Sequence, residues 1–179
     1  MWLIVLALLF IINSIFTVKI EKYIKSNYKQ RKPLLDIGHK LLPNTYKYRI
    51  INDIIPLILV VLTMINIENR KAYVKAIVTC VVLRMICIYC TVLPPTHKKC
   101  DYDGTYVGGC YDKLFSGHMT LCVISSLFLS SVFPQFSHVL LLLNMCEAFN
   151  LIASRDHYTV DVVLGIIISY SMTFIHNRG

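Results

Sequence analysis

Three side chains of this sequence have the types and spacing of a phosphoryl-transfer site. His157 and Asp161 are four residues apart, which on a helix places them on one face. The carboxylate can then fix the tautomer of the imidazole and raise the basicity of its second nitrogen. His118 begins another apolar segment and could supply the proton that a departing alkoxide needs. The pattern predicts a nucleophilic His157, an orienting Asp161 and a proton-donating His118, with a phosphohistidine intermediate.

The alternative for each histidine is a structural role at a helix end, where its ring donates a hydrogen bond to a carbonyl group. For a single histidine that interpretation is the better one. Two histidines at matching depth, one with a carboxylate four residues on, favour a functional site. The reason is that ionisable groups near a membrane are costly to keep there.

The elements that must position these side chains are apolar helices. Of the 179 residues 56% are apolar and only 16% charged, which excludes an ordinary soluble domain and indicates a membrane protein. Six apolar runs approach the length needed to cross a bilayer, so the sequence predicts an all-α, six-helix transmembrane bundle forming one integral-membrane catalytic domain over residues 1–179. The predicted helices cover residues 3–18, 50–67, 76–93, 115–133, 137–153 and 160–175.

If the six helices alternate in direction, the connections 19–49, 94–114 and 154–159 lie on one side of the membrane, which we call the site face. The site face carries 13 lysines and arginines, against four on the other side. By the positive-inside rule this asymmetry would place the site in the cytosol. The basic residues that give the net charge of +8 are not interleaved with aromatic residues that could stack on bases. Anionic lipid, not nucleic acid, is therefore the expected partner.

Four short motifs resemble those of a known family. Cys110–His118 and His157–Val162 resemble the paired signature of the sphingomyelin synthase family, a branch of the lipid phosphate phosphatase superfamily. Pro33–His39 is similar to the first-loop motif of that family, and Arg84–Pro94 to its third-helix motif. The resemblance runs in the expected order from residue 33 to about residue 165.

The resemblance implies a transferase that moves phosphocholine or phosphoethanolamine from a glycerophospholipid to a lipid alcohol such as ceramide, without a cofactor. A hydrolase that passes the phosphohistidine to water is the alternative, because both reactions share the first half-reaction. A scaffolding protein that has kept the fold is a third hypothesis, which the intact His118, His157 and Asp161 disfavour. The resemblance also implies a multi-pass protein of the endoplasmic reticulum, Golgi or plasma membrane with a lumenal or extracellular site, opposite to the charge count. The motifs add Asp36, His39 and Tyr89 as second-tier site residues. The oligomeric state stays open.

Cationic groups and N–H donors should converge on the phosphate, because its transition state carries excess negative charge. The candidates are Arg84, Lys113, Arg155 and the amides of Ser116 and Gly117. The alternatives are an ion pair between Arg84 and Glu147, and interfacial lysine and arginine side chains that reach toward water. Arg155 is only two residues before His157, which favours the synthase branch over the phosphatase branch.

A cationic head group needs a negative or aromatic partner. Asp156 and Glu147 are candidates for the negative one. The candidates for aromatic walls are Tyr102, Tyr106, Tyr111 and Tyr158. Their alternatives are a helix cap for Asp156, interhelical hydrogen bonding around Glu147, and the tyrosine belt of the membrane interface.

No metal site is predicted, because Asp101–Gly104 lacks the later ligands of a calcium loop. Cys100 and Cys110 share one loop and could close a disulfide if that loop faces an oxidising compartment.

Overall fold

Seven α-helices follow one another in the part of the chain that the computed structural model describes, residues 1–27, 32–97 and 109–177. Short 3-10 turns at Tyr46–Tyr48 and Pro134–Phe136 precede the third and sixth helices. The helices are α1 (Trp2–Asn27), α2 (Ile37–Leu41), α3 (Ile51–Asn66), α4 (Arg70–Cys90), α5 (Gly117–Val132), α6 (Ser137–Ala153) and α7 (Thr159–Asn177).

Five helical segments are long and apolar enough to cross a membrane: Trp2–Asn27, Tyr46–Asn66, Arg70–Cys90, Pro134–Ala153 and Thr159–His176. The sixth predicted span, α5, has only 16 residues. The all-α class is confirmed, and five long apolar helices with one shorter helix are compatible with a membrane bundle. Many large apolar side chains point outward, as expected where lipid replaces water.

The largest difference from the predicted boundaries is at the end of α1, which continues to Asn27 instead of stopping at residue 18. Charged residues end an apolar run but not a helix, and this extension buries Glu21 and Ile24. The next largest difference is at α4, which begins six residues before its predicted start. The side chain of Asn69 caps this helix by accepting a hydrogen bond from the amide of Ala72. At the other helices the predicted and observed ends differ less.

Helix α5 occupies the centre of the bundle and packs against α3, α4, α6 and α7. Its contact with α7 is especially close at Gly165, where a Cβ atom would lie 3.1 Å from the carbonyl oxygen of Ser116. Only glycine allows this approach without displacement of the backbone. The beginnings of α5 and α7, which carry the two candidate histidines, are therefore held side by side.

The turn between α6 and α7 has the hydrogen bonds of a Schellman motif. The amide of Asp156 donates to the carbonyl of Leu151 at 3.2 Å, and that of Arg155 to the carbonyl of Ile152 at 3.1 Å. Arg155 has a φ of 63°, the left-handed conformation in which glycine is usual. This reversal directs the chain from α6 to His157.

Candidate active site

His157 lies in the turn before α7, not on the helix itself, because α7 begins at Thr159. Its Nδ1 atom is nevertheless 3.6 Å from Oδ2 of Asp161. That separation exceeds hydrogen-bond length, but it keeps the carboxylate in electrostatic contact with the ring. The structure therefore brings the predicted pair together, although by a turn and a helix start where the sequence had suggested one helix face.

Asp161 fixes the beginning of α7. Its Oδ2 atom accepts a hydrogen bond from the amide of Tyr158 at 3.1 Å, in the manner of a capping box, and the side chain is fully buried. Its carbonyl oxygen accepts from the amide of Ser116 at 2.9 Å. Asp161 thus positions both histidine-bearing segments, and the positive end of the α7 dipole favours its negative charge.

His118 is the other predicted catalytic histidine, and it lies next to His157. The two ring centroids are 6.1 Å apart and the ring planes are inclined by 62°, so one phosphoryl group could contact both rings. Nε2 of His118 lies 2.9 Å from Oδ1 of Asp53 on α3. The ring of His118 is therefore oriented by a carboxylate. This contact engages Nε2 and leaves Nδ1 to exchange a proton with the reacting lipid.

Burial affects the two histidines differently. The side chain of His157 is 4% exposed, and that of His118 is 25% exposed. Burial disfavours the imidazolium and lowers the pKa of His157, an effect that the Asp161 carboxylate opposes. A lowered pKa keeps His157 neutral near physiological pH, which is the form that a nitrogen nucleophile requires.

Arg84 makes a buried ion pair with Asp112. Its Nη2 atom donates to Oδ2 of Asp112 at 3.0 Å and to the Asp112 carbonyl at 2.9 Å, while Nε donates to the carbonyl of Phe115 at 3.2 Å. Lys113 donates from Nζ to Oδ1 of Asp112 at 3.2 Å and to the carbonyl of Gly109 at 2.8 Å. The acid that pairs with Arg84 is Asp112, so the alternative of a pair with Glu147 is wrong.

Desolvation raises the pKa of Asp112, but the charges of Lys113 and Arg84 outweigh it and hold the pKa well below its usual range. Asp112 also interacts electrostatically with His157, as does Lys113. The cationic cluster therefore lies within electrostatic range of the candidate nucleophile. A phosphate there would meet two cations, whose charges are balanced in part by Asp112 and, over a longer distance, by Glu21.

Two amides at the start of α5 could also receive an anion. The amide of Ser116 is already bonded to Asp161, and its hydroxyl accepts from the amide of Met119 at 3.2 Å. Among the described residues, no hydrogen bond engages the amides of Gly117 and His118. They are first-turn N–H groups of the kind that bind phosphate at helix starts, although the Ser116 amide has a structural role.

Arg155 and Asp156 contact protein groups instead of open space. The guanidinium of Arg155 donates to the carbonyls of His39 at 2.6 Å, Leu42 at 3.0 Å and Ile152 at 3.1 Å. The side chain of Asp156 accepts from the amide group of Asn52. These contacts stabilise the turn before His157, and the ligand-binding roles of both residues stay predictions.

Asp36, His39 and Tyr158 support the other side of this turn. Asp36 accepts from the amide of Thr159 at 2.8 Å and from its hydroxyl at 2.7 Å, and Nε2 of His39 lies 3.0 Å from the carbonyl of His157. The hydroxyl of Tyr158 accepts from the amide of Leu34 at 3.0 Å and lies 3.1 Å from the carbonyl of Pro94. The rings of His39 and Tyr158 stack. Tyr158 is therefore buried beneath the loops and does not form an open aromatic wall.

The remaining second-tier candidates are placed differently. Glu147 is fully buried, and neither of its carboxylate oxygens has a hydrogen-bond partner among the described residues. It interacts electrostatically with Asp53 and Asp156, so it lies behind the site. Its neighbour Asn150 makes the predicted type of interhelical hydrogen bond, to Asn52. Tyr89 is 72% exposed, and no hydrogen bond joins it to the catalytic side chains in the described ranges.

The sequence reasoning missed Asp53 and Asp112. Asp53 lies in the first turn of α3, where an acidic residue is commonly a favourable helix-start residue and carries no catalytic signal. Asp112 lies inside the Cys110–His118 motif, and its position beside Lys113 could have suggested a counter-ion for Arg84. Neither tertiary contact is readable from spacing, because the partners are 65 and 28 residues away.

The segment that carries Asp112 is fixed by α1. Oε1 of Glu21 accepts from the amide of Tyr111 at 2.6 Å, and Oε2 lies 3.9 Å from Nζ of Lys25.

Cys110 is disulfide-bonded, whereas Cys100 and the Asp101–Gly104 turn lie outside the described residues, as do Tyr102 and Tyr106. Within the described ranges, no group of three or more metal-ligating side chains occurs.

Replacing Glu21 with alanine should lower the free energy of unfolding by about 1–3 kcal/mol, because the buried amide of Tyr111 would lose its acceptor. Glu21→Gln retains an acceptor oxygen and should lose less. Thermal unfolding of both variants in detergent measures the difference, with the exposed neighbour Lys22→Ala as the control. Equal destabilisation by the alanine and glutamine variants would contradict the role of this hydrogen bond.

Residues 109–178 match the family model described as PAP2 superfamily C-terminal. The matched range contains His118, His157 and Asp161, while the motifs around Asp36 and Arg84 lie outside it. The match supports the lipid phosphate phosphatase superfamily, whose members are phosphatases or phosphotransferases. A search among curated proteins finds no match.

Proposed function

We propose that the chain is a membrane phospholipid head-group transferase of the sphingomyelin synthase type. The proposal depends above all on one observation, the two histidine rings 6.1 Å apart, each beside its own carboxylate. One ring is buried and neutral, as a nucleophile requires, and the other is partly open, as a proton carrier requires.

In the first half-reaction, His157 attacks the phosphorus of a glycerophospholipid and forms an N–P bond. The P–O bond to the diacylglycerol oxygen breaks, and that oxygen takes a proton from His118. Asp161 stabilises the positive charge that develops on the imidazole of His157, and Asp53 orients His118.

In the second half-reaction, the hydroxyl of a lipid alcohol such as ceramide attacks the phosphorus. Its proton passes to His118, the N–P bond breaks, and His157 leaves as the neutral imidazole. The acceptor is therefore joined to the phosphocholine or phosphoethanolamine group, and both histidines regain their starting protonation states.

The charge of the transition state falls on the phosphate oxygens, and several groups are placed to stabilise it. Nη1 of Arg84 makes no hydrogen bond to any described residue, although Nε and Nη2 of the same guanidinium do. Lys113 and the amides of Gly117 and His118 add further donors. We infer that Nη1 of Arg84 binds a phosphate oxygen while the rest of the guanidinium holds the 112–115 segment in place.

A lipid phosphate phosphatase is the second candidate, and one feature favours it. The side chain of Asp53 beside His118 is 47% exposed, so water can reach the proton carrier. Water would then replace the lipid alcohol in the second half-reaction, with unchanged roles for the protein groups.

We propose a lumenal or extracellular site in an endomembrane or the plasma membrane. The disulfide-bonded state of Cys110 supports this placement, because disulfides persist in oxidising compartments and are rare in the cytosol. The excess of lysine and arginine on the site face argues for the opposite side. Labelling of Cys110 with a membrane-impermeant thiol reagent after reduction would distinguish the placements. Reagent added to intact cells reaches an extracellular site, and reagent added to sealed microsomes reaches a cytosolic site but not a lumenal one.

The function is tested by incubating the purified protein in liposomes with ceramide and with phosphatidylcholine or phosphatidylethanolamine labelled in the head group. The transferase is expected to label the ceramide product. Labelled free phosphocholine or phosphoethanolamine without a ceramide product would overturn the transferase. Release of inorganic phosphate from phosphatidic acid in a parallel assay would support the phosphatase.

The activity should persist as the pH falls through 6.5, the ordinary pKa of histidine. His157 must be neutral to attack, and its lowered pKa delays protonation to a more acidic pH, so the midpoint of the acidic fall in kcat/KM should lie below 6.5. In Asp161→Asn the opposing charge is lost, so the remaining activity should fall at a still lower pH. Measurement of kcat/KM from about pH 5 to about pH 8 tests both statements. An acidic limb above 6.5 would contradict them.

A further inference from the structure

A cavity lies beside the candidate active site, and none of the candidate catalytic side chains lines it. Its volume is about 500 Å³, and its wall includes Leu34, Leu35, His39, Lys40, His97 and Arg155. His39 and Arg155 were predicted as site residues, yet they line this cavity and not the space between His118 and His157. The cavity is therefore separate from the space between the two catalytic histidines.

The charged groups around the cavity are mostly basic. The side chain of Lys40 is exposed, and its ammonium makes no hydrogen bond or ion pair with a described residue. His97 is held in place by its stack on Tyr46, with ring centroids 4.7 Å apart. Asp36, the acidic residue among the described lining residues, already accepts hydrogen bonds from Thr159 and from the amide of His39. An anion with several acceptor oxygens, such as a phosphate group, fits this set of donors.

The rim of the cavity is apolar and outward-facing. Leu34 is 50% exposed, Leu35 79%, Ile37 71% and Leu41 78%. Such a cluster on and beside a short helix at the end of a membrane bundle suits insertion into the boundary between head groups and acyl chains. An occupant with a phosphate for the basic interior and acyl chains for the rim is a lipid.

The cavity is joined to the catalytic turn by direct hydrogen bonds. His39 contacts the carbonyl of His157, Asp36 contacts the first amide of α7, and Arg155 precedes His157 by two residues. A ligand that orders these side chains also orders the backbone of the candidate nucleophile. We propose that this cavity binds the phosphate head group of an anionic lipid and that its occupation stabilises the catalytic arrangement. The second half of this statement rests on the proposed function, whereas the binding does not.

Binding is tested with the full chain in nanodiscs of phosphatidylcholine, to which phosphatidylglycerol is added in increasing fraction. Lipid association is followed by native mass spectrometry, and turnover is followed in the same discs. The Lys40→Gln, His97→Gln double variant should bind phosphatidylglycerol at least about fivefold more weakly than wild type, since a lysine at an anionic surface contributes about that factor by itself. Because occupation of the cavity is proposed to stabilise the catalytic arrangement, phosphatidylglycerol should increase the turnover of the wild type. That increase should be smaller in the double variant.

Lys47→Gln is the matched control, because Lys47 is an exposed lysine of the same connection that does not line the cavity. Equal losses in Lys47→Gln and in the double variant would overturn the cavity and indicate surface attraction alone. Unchanged binding in the double variant would overturn it as well. Inorganic phosphate should not displace the lipid, and displacement at matched phosphate concentration would overturn the assignment to a lipid. Absence of any turnover in wild type would count against the proposed function, yet the difference in lipid binding would still decide the cavity.

Discussion

Replacing His157 with alanine is expected to abolish turnover, with a loss of at least about 10⁴-fold. No other described side chain occupies its position next to Asp161 and within 6.1 Å of the ring of His118. Without the nitrogen nucleophile neither half-reaction can proceed, whether the acceptor is a lipid alcohol or water.

His118→Ala should lose about 10²–10⁴-fold, the usual contribution of a positioned acid and base. The matched control is His138→Ala, which removes an exposed histidine near the start of α6. Asp161→Asn should also be severe, because the amide cannot stabilise the imidazolium, although expression should remain. Turnover close to wild type in any of the three site variants would refute the assigned roles.

The same variants distinguish a covalent intermediate from direct displacement. With a donor labelled at phosphorus, the wild-type protein should acquire acid-labile label during turnover, as expected for a phosphohistidine, and His157→Ala should acquire none. Labelling of the His157→Ala variant would place the intermediate on another residue.

Arg84→Lys is expected to lower kcat/KM by about 10- to 100-fold. A lysine cannot hold Asp112, the Phe115 carbonyl and a phosphate oxygen together, and each charge-assisted hydrogen bond contributes about 1.5–3 kcal/mol. The loss should greatly exceed that in Arg70→Lys, which changes an arginine at the opposite end of the same helix that also donates to a carbonyl. Activity within about threefold of wild type, less than one kcal/mol, would remove Arg84 from the site.

Thermal unfolding distinguishes phosphate binding from a purely structural role. Loss of one member of the buried pair between Arg84 and Asp112 by Arg84→Ala should cost about 3–5 kcal/mol of stability. If Arg84 is only structural, the activity of Arg84→Lys should follow the fraction of folded protein. If it also binds phosphate, the folded variant should remain impaired.

The all-α class and most helices were predictable because burial of apolar residues in lipid leaves a strong sequence signal. The predicted third to fifth connections fall close to the observed ones, and α6 coincides with its predicted range. The end of α1 was not predictable from hydropathy, since Glu21 is buried against Tyr111, some 90 residues away. The separate short helix α2 was also missed, because five residues are too few to show a helical period.

The catalytic roles of His118, His157 and Asp161 were hypotheses from residue type, spacing and family resemblance, and they remain so until variants are measured. The sequence by itself determined the helical membrane class and brought these three residues to attention, because their types and local spacing are properties of the chain. Only the tertiary structure decided which group each carboxylate meets: Asp53 the ring of His118, Asp112 the guanidinium of Arg84, and Asp36 the first amide of α7. Likewise, only the fold separated Asp36, His39 and Arg155 from the catalytic pair, by placing them around a cavity that neither His118 nor His157 lines. Such pairings depend on distances between residues far apart in the chain, which helix packing sets and a one-dimensional pattern does not contain.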